Sequence, residues 1–151
     1  MAYLCDTGIL LRLVDNADSQ HATVTAAVRK LIAKQQHLVM TLQNVSEFSN
    51  VLTRPLANNG LALSPNDAIN LLEREIEPLC EVIADQKSAY PHLKRLITNY
   101  NVVGKQVHDA RLVAMMLAWQ IDNILTLNSR DFQRYEPEGI KIVTPAELIA
   151  S

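Results

Sequence analysis

Carboxylates carry the chemistry that this chain can offer. Asp6 interrupts an apolar run at Tyr3-Leu4-Cys5 just before helix-forming residues resume, which places it at the carboxyl end of a strand. Glu47 falls in the first turn of a helix, Asp109 in the first turns of a strongly apolar helix, and Asp131 after a late strand. In a parallel α/β layout, strand carboxyl ends and helix amino ends share one edge of the sheet, where ligands bind. The spacing therefore predicts acids converging on one crevice. Each also has a purely structural account. Asp6 can cap the helix that opens at Thr7, Glu47 can close a capping box with Asn44, and acids at helix amino ends offset the dipole. Asp109 resists that account most, because its neighbours are Val, Ala, Leu and Met and an unpaired carboxylate there costs several kcal/mol. Converging anions raise one another's pKa unless a cation lies between them. Mg²⁺ or Mn²⁺, held by hard oxygen ligands with positions left open for water and phosphate, resolves that cost and suits hydrolysis of a phosphodiester without a protein nucleophile.

The elements that must position these acids read as alternating strands and helices. After the first helix, residues 15–19 form a polar turn, and Ser19 is a candidate cap for a helix with Val24, Ala27, Val28, Leu31 and Ile32 on its apolar face and Arg29, Lys30 and Lys34 opposite. Residues 37–41 read as a strand and 42–55 as a helix opened by Asn44, and Ser64-Pro65 starts an acidic helix to about residue 77, which Pro78 stops. Residues 80–84 read as a strand, 87–100 as a helix, 105–119 as a buried helix, 124–127 and 140–143 as strands, and Thr144-Pro145-Ala146-Glu147 as a capping box. The expected fold is α/β, with a mostly parallel sheet of four to five strands covered by helices on both faces, in a single domain over residues 1–151.

Composition removes other classes. Apolar residues at 48% and charged residues at 20% are ordinary for a globular protein. No apolar run has the length of a membrane span, and no basic stretch precedes an apolar one at the amino terminus, so the expected location is cytoplasmic. Cys5 and Cys80 lie in apolar segments and read as reduced core thiols, while His21, His37, His92 and His108 lie too far apart for a zinc site. The net charge is −2, yet residues 67–85 hold six acids and only Arg74, leaving 13 bases against 10 acids elsewhere, a modestly basic balance for phosphates. With four glycines there is neither a GxGxxG turn nor a P-loop, and no GxSxG elbow occurs.

Four blocks in order, residues 6–11, 43–48 with 52–55, 108–114 and 125–132, together with residues 143–148, resemble the PIN domain, and among its members the VapC toxins of bacterial toxin-antitoxin pairs. The resemblance covers nearly the whole chain. It implies a Rossmann-like fold, Mg²⁺- or Mn²⁺-dependent endoribonuclease activity, homodimers and inhibition by a small antitoxin. Asp6, Glu47 and Asp109 match the family's metal-site acids. Gly8 stands where the family commonly has Asn or Ser, and Asn128 where a fourth acid often falls, with Asp131 a substitute from three residues on. Thr7 and Thr126 are candidates to orient ligands or waters, Lys105 and Arg111 to contact phosphate, and His108 to donate a proton or touch substrate; each also has a local structural role open to it. The competing reading is a PIN-like module that binds RNA or protein with impaired or no cleavage. A phosphoacceptor receiver or phosphatase would need a Lys on a late strand, which is not legible here.

Overall fold

Five short apolar segments pair side by side, all parallel, to form the middle layer of the computed structural model, which describes residues 1–151. They are β1 (Ala2–Cys5), β2 (His37–Thr41), β3 (Glu81–Ile83), β4 (Asn123–Leu125) and β5 (Lys141–Val143), in the spatial order β3-β2-β1-β4-β5. Successive strand residues point to opposite faces, so the apolar runs feed two cores. Leu4, Val39 and Ile124, in register with one another, bury on one face, and Cys5, Met40 and Leu125 on the other. The first face is covered by α5 (Ala89–Asn99) and α6 (Gln106–Trp119), through Leu96, Leu112, Val113 and Met116. The second is covered by α1 (Thr7–Val14), α2 (His21–Ala33), α3 (Leu42–Thr53) and α4 (Pro65–Leu71), with Ile9, Val28, Phe48 and Ala68 packed inward. The closing helix α7 (Pro145–Ala150) packs on α2.

The α/β expectation holds throughout, and most element boundaries fall within two or three residues of those expected. The Thr144–Glu147 capping box forms with both of its hydrogen bonds at 3.3 Å. Cys5 and Cys80 are free and buried, and their contact together with burial pushes the Cys5 thiol above its usual range. No helix is long and apolar enough to cross a membrane.

Three local expectations need correction. Ser19 does not cap α2: the helix starts at His21 with Gln20 in the cap position and no side-chain cap bond, and Asp18 closes the turn before it by accepting the Gln20 amide at 2.8 Å. Ile32 is 40% exposed rather than core, because it sits at the rim of the apolar face. Asn44 does not open α3. Thr41, still extended at the end of β2, is the cap, and Asn44 completes the box as the third helical residue. Its Oδ1 accepts from the Thr41 amide at 2.9 Å while Thr41 Oγ1 accepts from the Asn44 amide at 3.2 Å. Glu47 is thereby released from any capping role. The acidic helix also changes character midway: α4 gives way to wider π turns over Leu72–Ile76, marked by the Glu77 amide donating to the Leu72 carbonyl at 2.9 Å.

Candidate active site

The strand order reverses between β1 and β4, and at that switch point the sheet's carboxyl edge opens into a crevice. Asp6 stands there, one residue beyond β1. Its Oδ1 accepts the Thr7 amide at 2.9 Å, so it does cap α1, and its Oδ2 accepts the Thr126 hydroxyl at 2.7 Å. The capping account and the crevice account are both correct, since a carboxylate has two oxygens to use. Thr126 is fully buried beyond β4 and also accepts the Asn128 amide at 3.0 Å, so its hydroxyl can point only at Asp6.

Glu47 arrives from α3. Its Oε1 accepts the Thr7 hydroxyl at 2.8 Å, and that hydroxyl in turn accepts from Asn44 Nδ2 at 3.0 Å. The relay Thr41–Asn44–Thr7–Glu47 ties β2, α3 and α1 together through buried polar groups that satisfy one another. Asp109 comes from the first turn of α6. Asp131 ends the 3-10 turn Ser129–Asp131, and Asn128 precedes that turn.

These groups meet. Asp6, Glu47, Asp109, Asn128 and Asp131 line one cleft of about 320 Å³, together with Thr7, Gly8, Asn50 and Arg54. Burial and their proximity raise the pKa values of Asp109 and Asp6. Burial pushes Asp109 up to about 7, with Asp131, Asp6 and Glu47 adding to the rise and Arg134 opposing it. Asp6 is also raised, by burial first; the Thr126 and Thr7 hydrogen bonds oppose that, while Glu47 and Asp131 reinforce it. Gly8 leaves room beside Asp6: a Cβ there would meet nothing nearer than Arg12 Nη1 at 3.5 Å, so no steric need enforces glycine.

No three His, Cys, Asp or Glu side chains close into a cage around a common point. Asp6 and Glu47 are instead each held by a threonine hydroxyl, Thr126 and Thr7. A hydrated hard cation nonetheless fits this donor set, because Mg²⁺ uses one or two carboxylates and keeps several waters, and every donor offered here is oxygen.

Beside the acids runs a groove of about 500 Å³ that shares Glu47 and Asn50 with the cleft and carries Lys105, His108 and Arg111 on its far wall. All three bases singled out from the sequence therefore share one surface. Gln43 Nε2 donates to the His108 carbonyl at 2.8 Å and clamps the start of α3 to the start of α6, fixing the groove's width. Arg111 stands 3.4 Å from Asp85, but both are about half exposed, so that pair holds it weakly. Sequence reasoning missed Asn50 and Arg54, which line the cleft, and Arg134, which lines a small neighbouring hollow with Asp109 and Asp131. Arg54 lies inside the block at residues 52–55, a signal that was available; Arg134, bonded to the Tyr100 carbonyl at 3.2 Å, carries no local sign of its place.

A parallel α/β sheet with an acidic crevice at its switch point defines a Rossmann-like class of fold, with the ligand-binding edge at that crevice. The sequence matches the PIN domain over residues 3–137, and the chain belongs to the PIN domain family. Solved structures share its fold. VapBC-1 from nontypeable Haemophilus influenzae superposes with a TM-score of 0.68 at 16% identity, over 97% of this chain and 99% of that one. VapBC2 from Rickettsia felis, bound to a DNA fragment from its promoter, gives 0.69 at 13% identity over 95% and 98%. VapC20 from Mycobacterium tuberculosis, a sarcin-ricin-loop-cleaving toxin, gives 0.56 at 16% identity over 82% and 87%. No curated protein sequence matches the chain.

Proposed function

We propose that this protein is a Mg²⁺- or Mn²⁺-dependent endoribonuclease, the toxin of a toxin-antitoxin pair, acting as a homodimer restrained by its antitoxin. The observation that carries the reading is the meeting of Asp6, Glu47, Asp109 and Asp131, from four separate stretches of chain, in one cleft. The fold it shares with VapBC complexes and with a toxin that cleaves the sarcin-ricin loop supports the substrate class and the partner.

In this reading Asp6, Glu47 and Asp109 would hold the cation, and Asn128 or Asp131 would complete its surroundings. When bound, such an ion would lower the pKa of a water and polarise the phosphate. Thr126 and Thr7 keep Asp6 and Glu47 turned inward, so the ligand oxygens are ordered before substrate arrives. Lys105 and Arg111 would bind phosphates of the RNA on either side of the scissile bond, and His108, in the same groove, would touch the substrate or protonate the leaving oxygen.

The purified protein is expected to cut structured RNA with Mg²⁺ or Mn²⁺ and to stop in EDTA, and Asp6→Asn is expected to be inactive in a gel-based cleavage assay. Cleavage that persists in EDTA sinks the mechanism. The second reading, a binding module without catalysis, draws on the neutral Asn128 and the open spacing of the acids; RNA retained with no product in Mn²⁺ would establish it instead. Removing the groove bases tests the substrate face. Lys105→Ala with Arg111→Ala is expected to raise KM about tenfold with kcat nearly unchanged, and to make the dependence of log KM on log salt shallower by about one to two.

A further inference from the structure

Past the acids, α1 and the end of α3 enclose a second hollow of about 280 Å³. Leu11, Val51 and Arg54 line both it and the carboxylate cleft, so an RNA chain with a phosphate among the acids has an adjacent nucleoside within reach of the hollow. Its outer wall is firmly built. The Leu61 amide donates to the Val51 carbonyl at 3.1 Å and the Ala62 amide to the Arg54 carbonyl at 3.0 Å. Gly60 approaches Arg54 so closely that a Cβ would fall 1.9 Å from its carbonyl oxygen, a contact only glycine permits.

The lining is of two kinds. Leu11, Val51 and Leu61 offer apolar surface, while Arg12 and Arg54 offer donors and Asp15 and Asp18 offer acceptors. These polar groups are incompletely used. Arg54 Nη2 donates to the Asn59 carbonyl at 3.2 Å, and Arg12 reaches the Gly8 carbonyl only at 3.5 Å and Asp18 only at 3.6 Å. Arg54 Nε is buried without an acceptor, and Arg12 Nε is buried with Asp18 Oδ2 just beyond hydrogen-bond distance. Asp15 and Asp18 each commit Oδ1 to a backbone amide of their own turn, at 3.2 and 2.8 Å, which leaves Oδ2 of Asp15 without a hydrogen bond.

Two bases against two acids make a poor phosphate site, because a dianion gains no net charge complement there. The lining instead suits a flat group with apolar faces and an edge bearing both donors and acceptors, which describes a nucleobase. Guanine matches best: its O6 and N7 accept from a guanidinium, and its N1–H and N2–H₂ donate to a carboxylate. Adenine lacks the donor pair, and uracil has one N–H.

We propose that the hollow between α1 and α3 is a guanine-recognising subsite that selects which phosphodiester enters the carboxylate cleft, a role that rests on the nuclease reading above. Two measurements test it separately from that reading. Ligand-observed NMR on the wild-type chain with guanosine, adenosine, cytidine and uridine needs no cleavage; guanosine is expected to bind at least about tenfold more tightly than the others, and Arg12→Ala with Asp15→Asn to abolish the difference. Equal binding of the nucleosides by the wild type overturns the proposal, whether or not the variant folds. Sequencing of products from a randomised single-stranded RNA pool is expected to show guanine enriched at one fixed position beside the cut, and no enrichment at any position also overturns it. If the wild type cuts nothing yet prefers guanosine, the nuclease reading fails and the subsite stands.

Discussion

Asp109→Asn is expected to abolish RNA cleavage, by about 10²–10³-fold or more on the scale of losing a charged group that acts at the transition state, and at the same time to stabilise the metal-free protein at pH 8. The two effects have one origin. Burial first, then Asp131, Asp6 and Glu47, raise the Asp109 pKa from 3.8 to about 7. A carboxyl group whose folded pKa lies above its unfolded value binds its proton more tightly in the native state. The stability it contributes is fully present below about pH 4 and is lost as pH rises to about 7. The site is only partly buried, so solvent screening reduces the full linkage value to roughly 1–2 kcal/mol, worth a few degrees in Tm for a chain of this size. Asparagine never ionises, so the variant should match the wild type at pH 4 and exceed it at pH 8 when both are melted in EDTA. Adding Mg²⁺ should raise the wild-type Tm and leave the variant nearly unmoved. A wild-type stability that stays flat between pH 4 and pH 8 would contradict the account.

Asn44→Ala should be the most damaging single change that touches no acid. Asn44 is fully buried and joins the Thr41 amide, the Thr41 hydroxyl and the Thr7 hydroxyl at 2.9, 2.9 and 3.0 Å. Truncation leaves the Thr41 amide without its partner in a closed interior, takes one hydrogen bond from each of the two hydroxyls and removes one half of the helix box at the start of α3. The cost is roughly 3 kcal/mol, or on the order of 10 °C in Tm. Cleavage should fall as well at temperatures where the variant remains folded, because the Thr7 hydroxyl then lacks the donor that keeps it turned toward Glu47. Circular dichroism melts combined with cleavage rates at 20 °C separate the two effects. A variant that melts with the wild type would show that water replaces the amide without loss.

Much of this was open to reading along the chain. Apolar runs of three to five residues between amphipathic stretches mark the strands, and the carboxylate at Asp6 ends the first of them as expected. Asp109 drew notice for sitting among apolar neighbours, and burial does dominate its titration. What misled was local chemistry with two valid partners. Asn44 and Glu47 are spaced for a capping box, yet Thr41 stands at the turn from strand to helix and takes that role, which frees Glu47 to accept from Thr7 across 40 residues. Ser19 falls one residue short of the cap position, which Gln20 occupies without any side-chain bond, because the Asp18 turn carries the chain on to a helix start at His21.

Order of residues is enough to settle an alternating α/β chain, acids at strand ends and helix starts, and a crevice as their meeting place, because side-chain periodicity and capping are local physics. Which acids meet, and what stands beside them, was decided only in three dimensions. The order β3-β2-β1-β4-β5 sets Thr126 against Asp6 and Arg54 at the cleft wall, and strand order follows from the packing of whole faces rather than from any short pattern. The raised pKa of Asp109 belongs to the same level, since it comes from enclosure and from charges contributed by residues 6, 47 and 131.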